Sequence, residues 1–238
     1  MIRAHIDFEV ASALDIKKCG GALFVEHPSA IPLCAAMAFD DSEIIVLDQY
    51  ELEDNANLRQ VASDPAVIFV AHNAIFEQFC WTTFMVERFG YPEIPISRWR
   101  CTMSKGYTHS LPGSLDGLGK ALGLEILKDN DGRKIMLRLT KPKKDGTFWT
   151  PSEDPEGFRK LYDYCATDVE VERLVDKKLR DLPAKEQAIW EIDQRINKKG
   201  LRFDIPLIEK AISFIKKDRE IALAEFGDLV DDWQETDL

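Results

Sequence analysis

Short apolar runs separated by turn residues dominate the first part of the chain. Four of these runs predict strands: residues 2–10, 33–39, 43–48 and 66–71. Asp40-Asp41-Ser42 joins the second and third runs and predicts a hairpin. The run AVIFVA at 66–71 is apolar throughout, as expected of a central strand covered on both faces. Glycines and prolines between residues 20 and 32 predict a loop after the first strand.

Helical periodicity appears after the fourth run. Helices are predicted at residues 57–63, 73–89, 114–122, 154–180, 184–199 and 204–227, and a further strand at 97–103. Asp154-Pro155 combines an N-cap with proline at the first helical position, and Ser114 is a second N-cap. Gly200 is expected to end the helix at 184–199. In this interpretation Asn73 opens the helix that follows AVIFVA.

The order of these elements indicates an α/β fold. Three strands come first and helices then alternate with strands, which predicts a ribonuclease-H-like mixed β-sheet: three antiparallel strands, then parallel additions, flanked by helices. We predict a domain at residues 1–182 and a helical C-terminal extension at 183–238, with the boundary near Pro183. The last eleven residues hold five acids and no base, so this acidic tail is expected to be disordered.

The net charge and the cysteine content disfavour some classes of function for this chain. The net charge of −11 repels nucleic acid and disfavours a pure binding module, but an enzyme with a carboxylate metal site remains compatible with it. The five cysteines are scattered without a C-x-x-C spacing, so neither a zinc site nor a disulfide framework is indicated. The sequence lacks a signal-peptide pattern and a long apolar stretch, so we expect a cytoplasmic protein without a membrane span.

Acidic residues in three separated segments form a candidate metal site. Asp7 and Glu9 lie two apart on a strand and share a face, while Tyr164 and Asp168 lie four apart on a helix and share a face. Glu77 falls in the first turn of the helix after AVIFVA. Hard oxygen ligands suit Mg²⁺ or Mn²⁺, and two such ions about 3.5–4 Å apart can promote hydrolysis of a phosphodiester.

Each segment has an ordinary structural explanation when it is taken alone. Asp-x-Glu at a strand end is usually a surface feature, Asn73 before a helix is usually an N-cap, and a helical Tyr-x-x-x-Asp is usually a buried phenol beside a solvated acid. Their combination in this order favours the metal site. Because a phenol has a pKa near 10, Tyr164 is a poor base at neutral pH and is expected to orient the attacking water or share its proton.

With these segments the chain resembles the DEDD-type 3′–5′ exonucleases of the tyrosine subclass, and in particular the proofreading domain of bacteriophage family A DNA polymerases. The matching motifs are Asp7-Phe8-Glu9, Asn73 with Phe76 and Glu77, and Tyr164 with Asp168. Asp163 stands where the histidine subclass has its histidine. The resemblance covers residues 1–182 and extends to the stretches at 98–103, 111–124 and 132–144.

The resemblance implies a role for each motif residue. Asp7, Glu9 and Asp168 would hold the tighter of two ions, and Glu77 would reach the second. Asn73 and Phe76 would help to seat the terminal nucleotide, and Phe8 would line the base pocket. This chain departs from the commonest family pattern because Glu77 replaces an aspartate. Since the charge and the ligand type are kept, we expect an altered preference for the second metal rather than inactivity.

A basic run could contact the substrate. Residues 133–144 contain six bases and no acid. One interpretation is a solvated surface loop. The other is a strip that follows the phosphates of a single strand, formed by Arg133, Lys134, Lys143 and Lys144 and extended by Arg98, Arg100 and Lys105.

Three functions are therefore open. The leading hypothesis is a metal-dependent 3′–5′ exonuclease that acts on single-stranded DNA or frayed 3′ ends, releases 5′-mononucleotides and serves proofreading, replication or repair. A second is an RNA-trimming exonuclease of the same superfamily. A third is a non-catalytic module that docks a polymerase through residues 184–238. Residues 184–210 resemble the segment leading into the polymerase, so the chain is either part of a larger protein or the partner of a separate DNA polymerase subunit.

Overall fold

The computed structural model describes residues 2–125 and 130–227. These described residues contain five strands: β1 (Ile2–Ala11), β2 (Ile31–Phe39), β3 (Ile45–Asp48), β4 (Val67–Ala71) and β5 (Trp99–Cys101). The α-helices are α1 (Ile16–Glu26), α2 (Gln49–Glu53), α3 (Ala56–Ser63), α4 (Ile75–Cys80), α5 (Thr102–Thr108), α6 (Leu115–Ala121), α7 (Asn130–Leu139), α8 (Pro155–Lys178), α9 (Ala184–Lys199) and α10 (Ile205–Gly227). A π-helix (Trp81–Arg88) continues α4, and a 3₁₀ turn (Ile96–Arg98) precedes β5.

The strands form one mixed sheet in the order β3-β2-β1-β4-β5. The pairs β1–β2 and β2–β3 are antiparallel, whereas β4 runs parallel to β1 and β5 runs parallel to β4. Helices flank this sheet. The predicted ribonuclease-H-like arrangement of three antiparallel strands followed by parallel additions is therefore confirmed.

Strand β1 lies at the centre of the sheet and separates an apolar face from a polar one. Ile6, Phe8 and Val10 belong to a hydrophobic core that also contains Trp81 and Trp99. Because side chains alternate along a strand, Asp7 and Glu9 point to the opposite face. The catalytic candidates on β1 thus face the side of the sheet covered by α8.

The aromatic core anchors β4 and β5. The Phe69 ring centroid lies 5.6 Å from that of Trp81 and 5.4 Å from that of Trp99. Such pairs contribute about 0.5–1.5 kcal/mol each beyond the burial of their surface. The tryptophans therefore serve packing, and this packing fixes the strand whose carboxyl end leads to Glu77.

The predicted loop at residues 20–32 is partly wrong, because α1 occupies residues 16–26. The Asp15 side chain accepts a hydrogen bond from the Lys17 amide and begins the helix. Gly20 has φ 79° and ψ 166°, which only glycine adopts without strain, and it breaks α1 into two pieces. The glycine pair therefore interrupts a helix instead of marking an open loop.

Asn73 does not open the helix after β4, so that prediction is also wrong. Asn73 has φ 61°, in the left-handed region that asparagine tolerates better than most residues. The helix begins at Ile75, and its N-cap residue Ala74 has no side-chain cap. The helical segment nevertheless ends at Arg88, close to the predicted end, because the π-helix continues it.

The helix signals in the second half of the chain are confirmed. Asp154 accepts a hydrogen bond from the Gly157 amide, and Ser114 accepts one from the Gly117 amide. Gly200, with φ 66°, follows the end of α9. Because these signals act through local backbone bonds, they are readable before any tertiary contact is known.

The chain divides into two compact units, Met1–Lys198 and Lys199–Leu238. Helix α9 belongs to the first unit: Trp190 lies in the main core, and Gln187 Nε2 donates to the Trp99 carbonyl over 3.3 Å. The first unit therefore continues beyond the boundary predicted near Pro183. The second unit contains α10, and the predicted acidic tail at 228–238 lies outside the described residues. Among the helices described, none is both long enough and apolar enough to cross a membrane.

Candidate active site

Three carboxylates converge between β1 and α8. One oxygen from each of Asp7, Glu9 and Asp168 lies within 4.8 Å of the other two. Glu9 and Asp168 are buried, and Asp7 is partly buried. Concentrating three negative charges in this space is unfavourable without a compensating cation. The donor set, made of carboxylate oxygens, suits a hard divalent ion.

The two elements face each other along a polar seam. Alternate residues of β1 face residues of α8 that are four positions apart. This polar seam comprises Arg3, His5, Asp7 and Glu9 on β1 and Tyr164, Asp168, Glu172 and Asp176 on α8. Arg3 Nη1 lies 3.0 Å from Asp176 Oδ2, and His5 Nδ1 lies 2.7 Å from Glu172 Oε2. The strand repeats its face every two residues and the helix about every four, and the two elements run in opposite directions. This match brings the motifs of β1 and α8 together although they are distant in sequence.

Tyr164 lies beside the carboxylates as a buried phenol. Burial raises the pKa of Tyr164 far above its ordinary value, and the negative charges of Asp168 and Glu9 raise it further. Asp168 also accepts a hydrogen bond from the protonated phenol, which favours the same form. The phenol is therefore neutral at physiological pH and acts as a hydrogen-bond donor.

Glu77 enters from the first turn of α4. Its side chain is 3% exposed, and Oε2 has no hydrogen-bond partner among the residues described. Burial raises the pKa of Glu77 well above 4.5, and the charge of Asp7 adds to the rise. Glu77 lies outside the group of three converging carboxylates, although it interacts electrostatically with Asp7. A buried carboxylate with one oxygen left without a partner, beside an acidic cluster, fits a cation ligand.

Glu77 should make the stability of the metal-free protein depend on pH. Above about pH 4.5 the unfolded chain loses the Glu77 proton while the folded chain keeps it, so stability falls as pH rises through the window up to the raised pKa. Glu77→Gln should remove this loss. In urea unfolding with chelator, the advantage of the variant should grow by at most about 1.4 kcal/mol per pH unit. An advantage that is equal at every pH would contradict this assignment.

The nucleotide-seating candidates have different environments. Phe76 is partly buried, with its ring centroid 6.5 Å from that of Phe24, while Asn73 is exposed. Phe8 is 3% exposed and lies in the main core. Phe24 belongs to α1, which the sequence analysis assigned to a loop, so the neighbour of Phe76 was missed. Asp15, an N-cap residue immediately before Ile16, was the available signal for this helix.

The basic run forms α7 and the loop after it. Several of its cations contact acids: Lys134 Nζ lies 3.0 Å from Asp131 Oδ1, Lys143 Nζ lies 2.8 Å from Glu153 Oε1, and Arg138 pairs with Asp154. Among the described residues, Arg133, Lys141 and Lys144 contact no acid. The free positive charge of the run is thus concentrated at its two ends.

The proposed extension of the strip through Arg98 and Lys105 is wrong. Arg98 is 8% exposed and donates to the backbone carbonyls of Val67 and Ala62. Lys105 is 1% exposed and pairs with Asp176 and Asp181. Both cations are consumed by internal contacts, so neither reaches a phosphate. Arg100 binds the carbonyl of Ser97 over 2.9 Å.

The sequence relates the chain to a polymerase. It is 34% identical over 217 residues to the DNA polymerase of Bacillus phage SP02, an alignment that covers 87% of this chain. The chain spans about a third of the length of that relative, because the alignment covers 33% of it. No family model matches the chain.

Solved structures with a distantly similar arrangement are nucleases. Brucella melitensis NrnC has a TM-score of 0.47 and 13% identity, covering 98% of this chain and 90% of its own, and a second structure of it contains bound Mg²⁺. The catalytic core of RRP6 from Trypanosoma brucei has a TM-score of 0.41 and 11% identity, covering 73% of this chain and 45% of its own.

The polymerase relative and the sheet order agree with the motifs on β1, α4 and α8. The resemblance indicated by Asp7-Phe8-Glu9, Glu77 and Tyr164 with Asp168 is consistent with this relative and with the order of the strands. This chain is a homologue of a phage DNA polymerase with the fold and the acidic motifs of the DEDD-type 3′–5′ exonucleases.

Proposed function

We propose that this chain is a metal-dependent 3′–5′ exonuclease that removes 5′-mononucleotides from single-stranded DNA or frayed 3′ ends. The observation that carries the proposal is the convergence of Asp7, Glu9 and Asp168 within 4.8 Å, beside the neutral phenol of Tyr164. An acidic cluster with a phenol donor matches the chemistry of phosphodiester hydrolysis by divalent ions.

Two Mg²⁺ or Mn²⁺ ions are the cofactors we propose. Asp7, Glu9 and Asp168 would hold the first ion, and the buried Glu77 carboxylate would contribute to the second. When bound, such ions supply water activation and neutralise charge on the leaving oxygen. With Asp168 holding an ion, the single phenol proton of Tyr164 would turn from Asp168 to the attacking water and help to hold that water in line with the phosphorus.

The similarity to a DNA polymerase favours DNA as the substrate of this chain. The proposed role is proofreading or another step of replication or repair, in the cytoplasm of a bacterium or of a phage-infected cell. Phe76 would pack against the terminal base, and Asn73 would contact its nucleotide; Phe8 would support this pocket from the core. RNA trimming is the alternative, and rates on DNA and RNA of one sequence distinguish the two.

The defining experiment follows digestion of a 5′-labelled single strand by the purified chain. A ladder that shortens from the 3′ end in Mg²⁺ or Mn²⁺, and disappears with chelator, would support the proposal. Comparison with Asp7→Asn excludes a contaminating nuclease. A folded, metal-binding protein that yields no ladder on DNA or RNA would contradict it.

The position of the basic run supports a contact with the substrate. The Ser12 amide, at the carboxyl end of β1, donates to the Thr140 carbonyl over 3.2 Å, which ties the loop after α7 to the strand that carries Asp7 and Glu9. Of the predicted strip (Arg133, Lys134, Lys143 and Lys144), Arg133 and Lys144 have no acid contact among the described residues. We propose that Lys144, with Lys141, contributes most to phosphate binding.

Neutralising the free lysines should weaken binding more than neutralising the paired ones. Lys141→Gln/Lys144→Gln should lower affinity for a single-stranded oligonucleotide and reduce the salt slope by up to about 1.4, at about 0.7 for each phosphate contact. Lys134→Gln/Lys143→Gln carries the same change of charge and is the control. Fluorescence anisotropy with Ca²⁺ at several salt concentrations measures both slopes. Equal slopes for the two variants would remove the free lysines from the substrate path.

Helix α10 supports a second role, the docking of a DNA polymerase. No residue of α10 is buried, and its large apolar side chains are exposed, among them Ile205, Leu207, Ile212, Phe214, Ile215 and Phe226. An exposed apolar surface of this kind indicates a protein contact. Binding of a polymerase body by the full chain, lost on Phe214→Ser/Ile215→Ser, would support this role. Binding that survives the change would assign the contact elsewhere.

A further inference from the structure

We propose that His5 and Glu172 form a positioning pair that fixes the spacing and register of β1 against α8 at the metal site. The inference deepens the proposed function, because it concerns the geometry of the same carboxylates. His5 Nδ1 lies 2.7 Å from Glu172 Oε2, and the two side chains are 1% and 3% exposed. Solvent therefore does not compete for this bond.

The pair lies directly behind the metal ligands on the same two elements. His5 precedes Asp7 by two residues, about 6.8 Å along a strand, and both point to the α8 side. Glu172 follows Asp168 by four residues, about one helical turn of 5.4 Å. A directional bond at this position determines how far Asp7 lies from Asp168.

Stability alone is a weak explanation for this pair. Removing two polar groups from water is costly, and replacing such a pair with apolar residues of similar volume is often neutral or stabilising. Apolar residues would be compatible with this part of α8, since Val169 and Val171 of the same helix are buried in two separate hydrophobic clusters. An apolar contact, however, can slide along the seam, whereas a hydrogen bond between Nδ1 and Oε2 cannot.

Further polar ties extend the same seam without replacing the pair. Arg3 contacts Asp176, and Lys105 of α5 contacts both Asp176 and Asp181. These ties lie one more step from the metal site. Glu172 Oε1 has no hydrogen-bond partner among the described residues. Within that part of the chain, His5 is therefore the only side chain that forms a hydrogen bond with the Glu172 carboxylate.

Two sets of variants separate positioning from simple stabilisation. His5→Leu/Glu172→Leu removes the directional bond but leaves no buried polar group unpaired. His5→Asn keeps a donor near the position of Nδ1, whereas His5→Gln carries its donor near the position of Nε2. Mn²⁺ binding, measured by the loss of the free-ion signal in electron paramagnetic resonance, reports on the site without requiring catalysis. Thermal unfolding with chelator reports on stability.

We expect the double variant to melt no lower than the unmodified chain in chelator while its Kd for Mn²⁺ rises about 10–100-fold, the range typical of partners that orient metal ligands. His5→Asn should bind Mn²⁺ within about threefold of the unmodified chain, and His5→Gln should bind it as weakly as the double variant. Unchanged Mn²⁺ affinity in a folded double variant would overturn the proposal.

If the double variant does not fold, equal Mn²⁺ affinities for His5→Asn and His5→Gln would overturn the proposal by themselves. The proposed function fails in a different way. An unmodified chain that binds no Mn²⁺ would refute the metal site, and one that binds Mn²⁺ without cleaving nucleic acid would refute the exonuclease while leaving the pair testable.

Discussion

Asp7→Asn should lower the rate of metal-dependent cleavage by about a thousandfold. Asp7 interacts with all the other candidate ligands that come from β1, α4 and α8. One of its oxygens lies within 4.8 Å of oxygens of Glu9 and Asp168, and its charge raises the pKa of Glu77. A metal ion supplies several kcal/mol of charge stabilisation in the transition state, and each 1.4 kcal/mol corresponds to a factor of ten. Single-turnover digestion of a labelled DNA strand measures the loss.

The same substitution should change stability in opposite directions with and without metal. In chelator, Asp7→Asn removes one of three mutually repelling charges, so the melting temperature should rise. With Mn²⁺, the unmodified chain should gain stability by ligand binding and the variant should not. Glu43→Gln, which neutralises an exposed acid in the hairpin, is the control and should alter neither response. A variant that cleaves at the normal rate would exclude Asp7 as a ligand.

The candidate site could be predicted from the sequence because its residues lie on regular strands and helices. Asp7 and Glu9 share a face by the period of a strand, and Tyr164 and Asp168 share a face by the period of a helix. The AVIFVA run places Glu77 after a central strand. These periodicities are local, so only the meeting of β1 with α8 had to be inferred from the resemblance.

The parts that were missed depend on tertiary structure or on short elements. Helix α2 is five residues long, and α5 begins directly after β5, so neither leaves a clear periodic signal. The left-handed Asn73 resembles an N-cap in sequence, although the chain uses it as a turn. Lys105 was predicted to extend the basic strip, but its charge is paired with Asp176 and Asp181, which are more than seventy positions away. Sequence spacing carries no information about such a contact.

The His5–Glu172 bond is a similar case. A histidine in an apolar strand and a glutamate in a helix are each unremarkable in sequence, and their separation of 167 positions hides the pairing. Once β1 and α8 are placed together, the strand period and the helix period bring them opposite each other. The sequence therefore contains the residues of the seam but not its register.

Tyr164→Phe should lower kcat by about a hundredfold while leaving Mn²⁺ affinity unchanged, since a positioned proton donor or acceptor contributes about 10²–10⁴-fold. Phenylalanine fills the same buried space and removes only the hydroxyl. Tyr162→Phe is the matched control: Tyr162 lies on the same helix, with its ring centroid 6.1 Å from that of Phe158 in a separate core. The control should keep its full activity.

The pH dependence of the cleavage rates of the unmodified chain and Tyr164→Phe distinguishes two possible roles of the phenol. Burial is the largest cause of the raised pKa of Tyr164, and it persists when bound cations offset the charges of Asp168 and Glu9, so we expect the phenol to keep its proton in the neutral pH range. The ratio of the rates of the unmodified chain and Tyr164→Phe should therefore be constant up to about pH 10, the ordinary pKa of a phenol. A ratio that grows as pH approaches that value would mean that the phenolate forms and removes the proton from water. A constant ratio would mean that Tyr164 orients the water as a neutral donor, which leaves deprotonation of the water to the ions that we propose at the four acids.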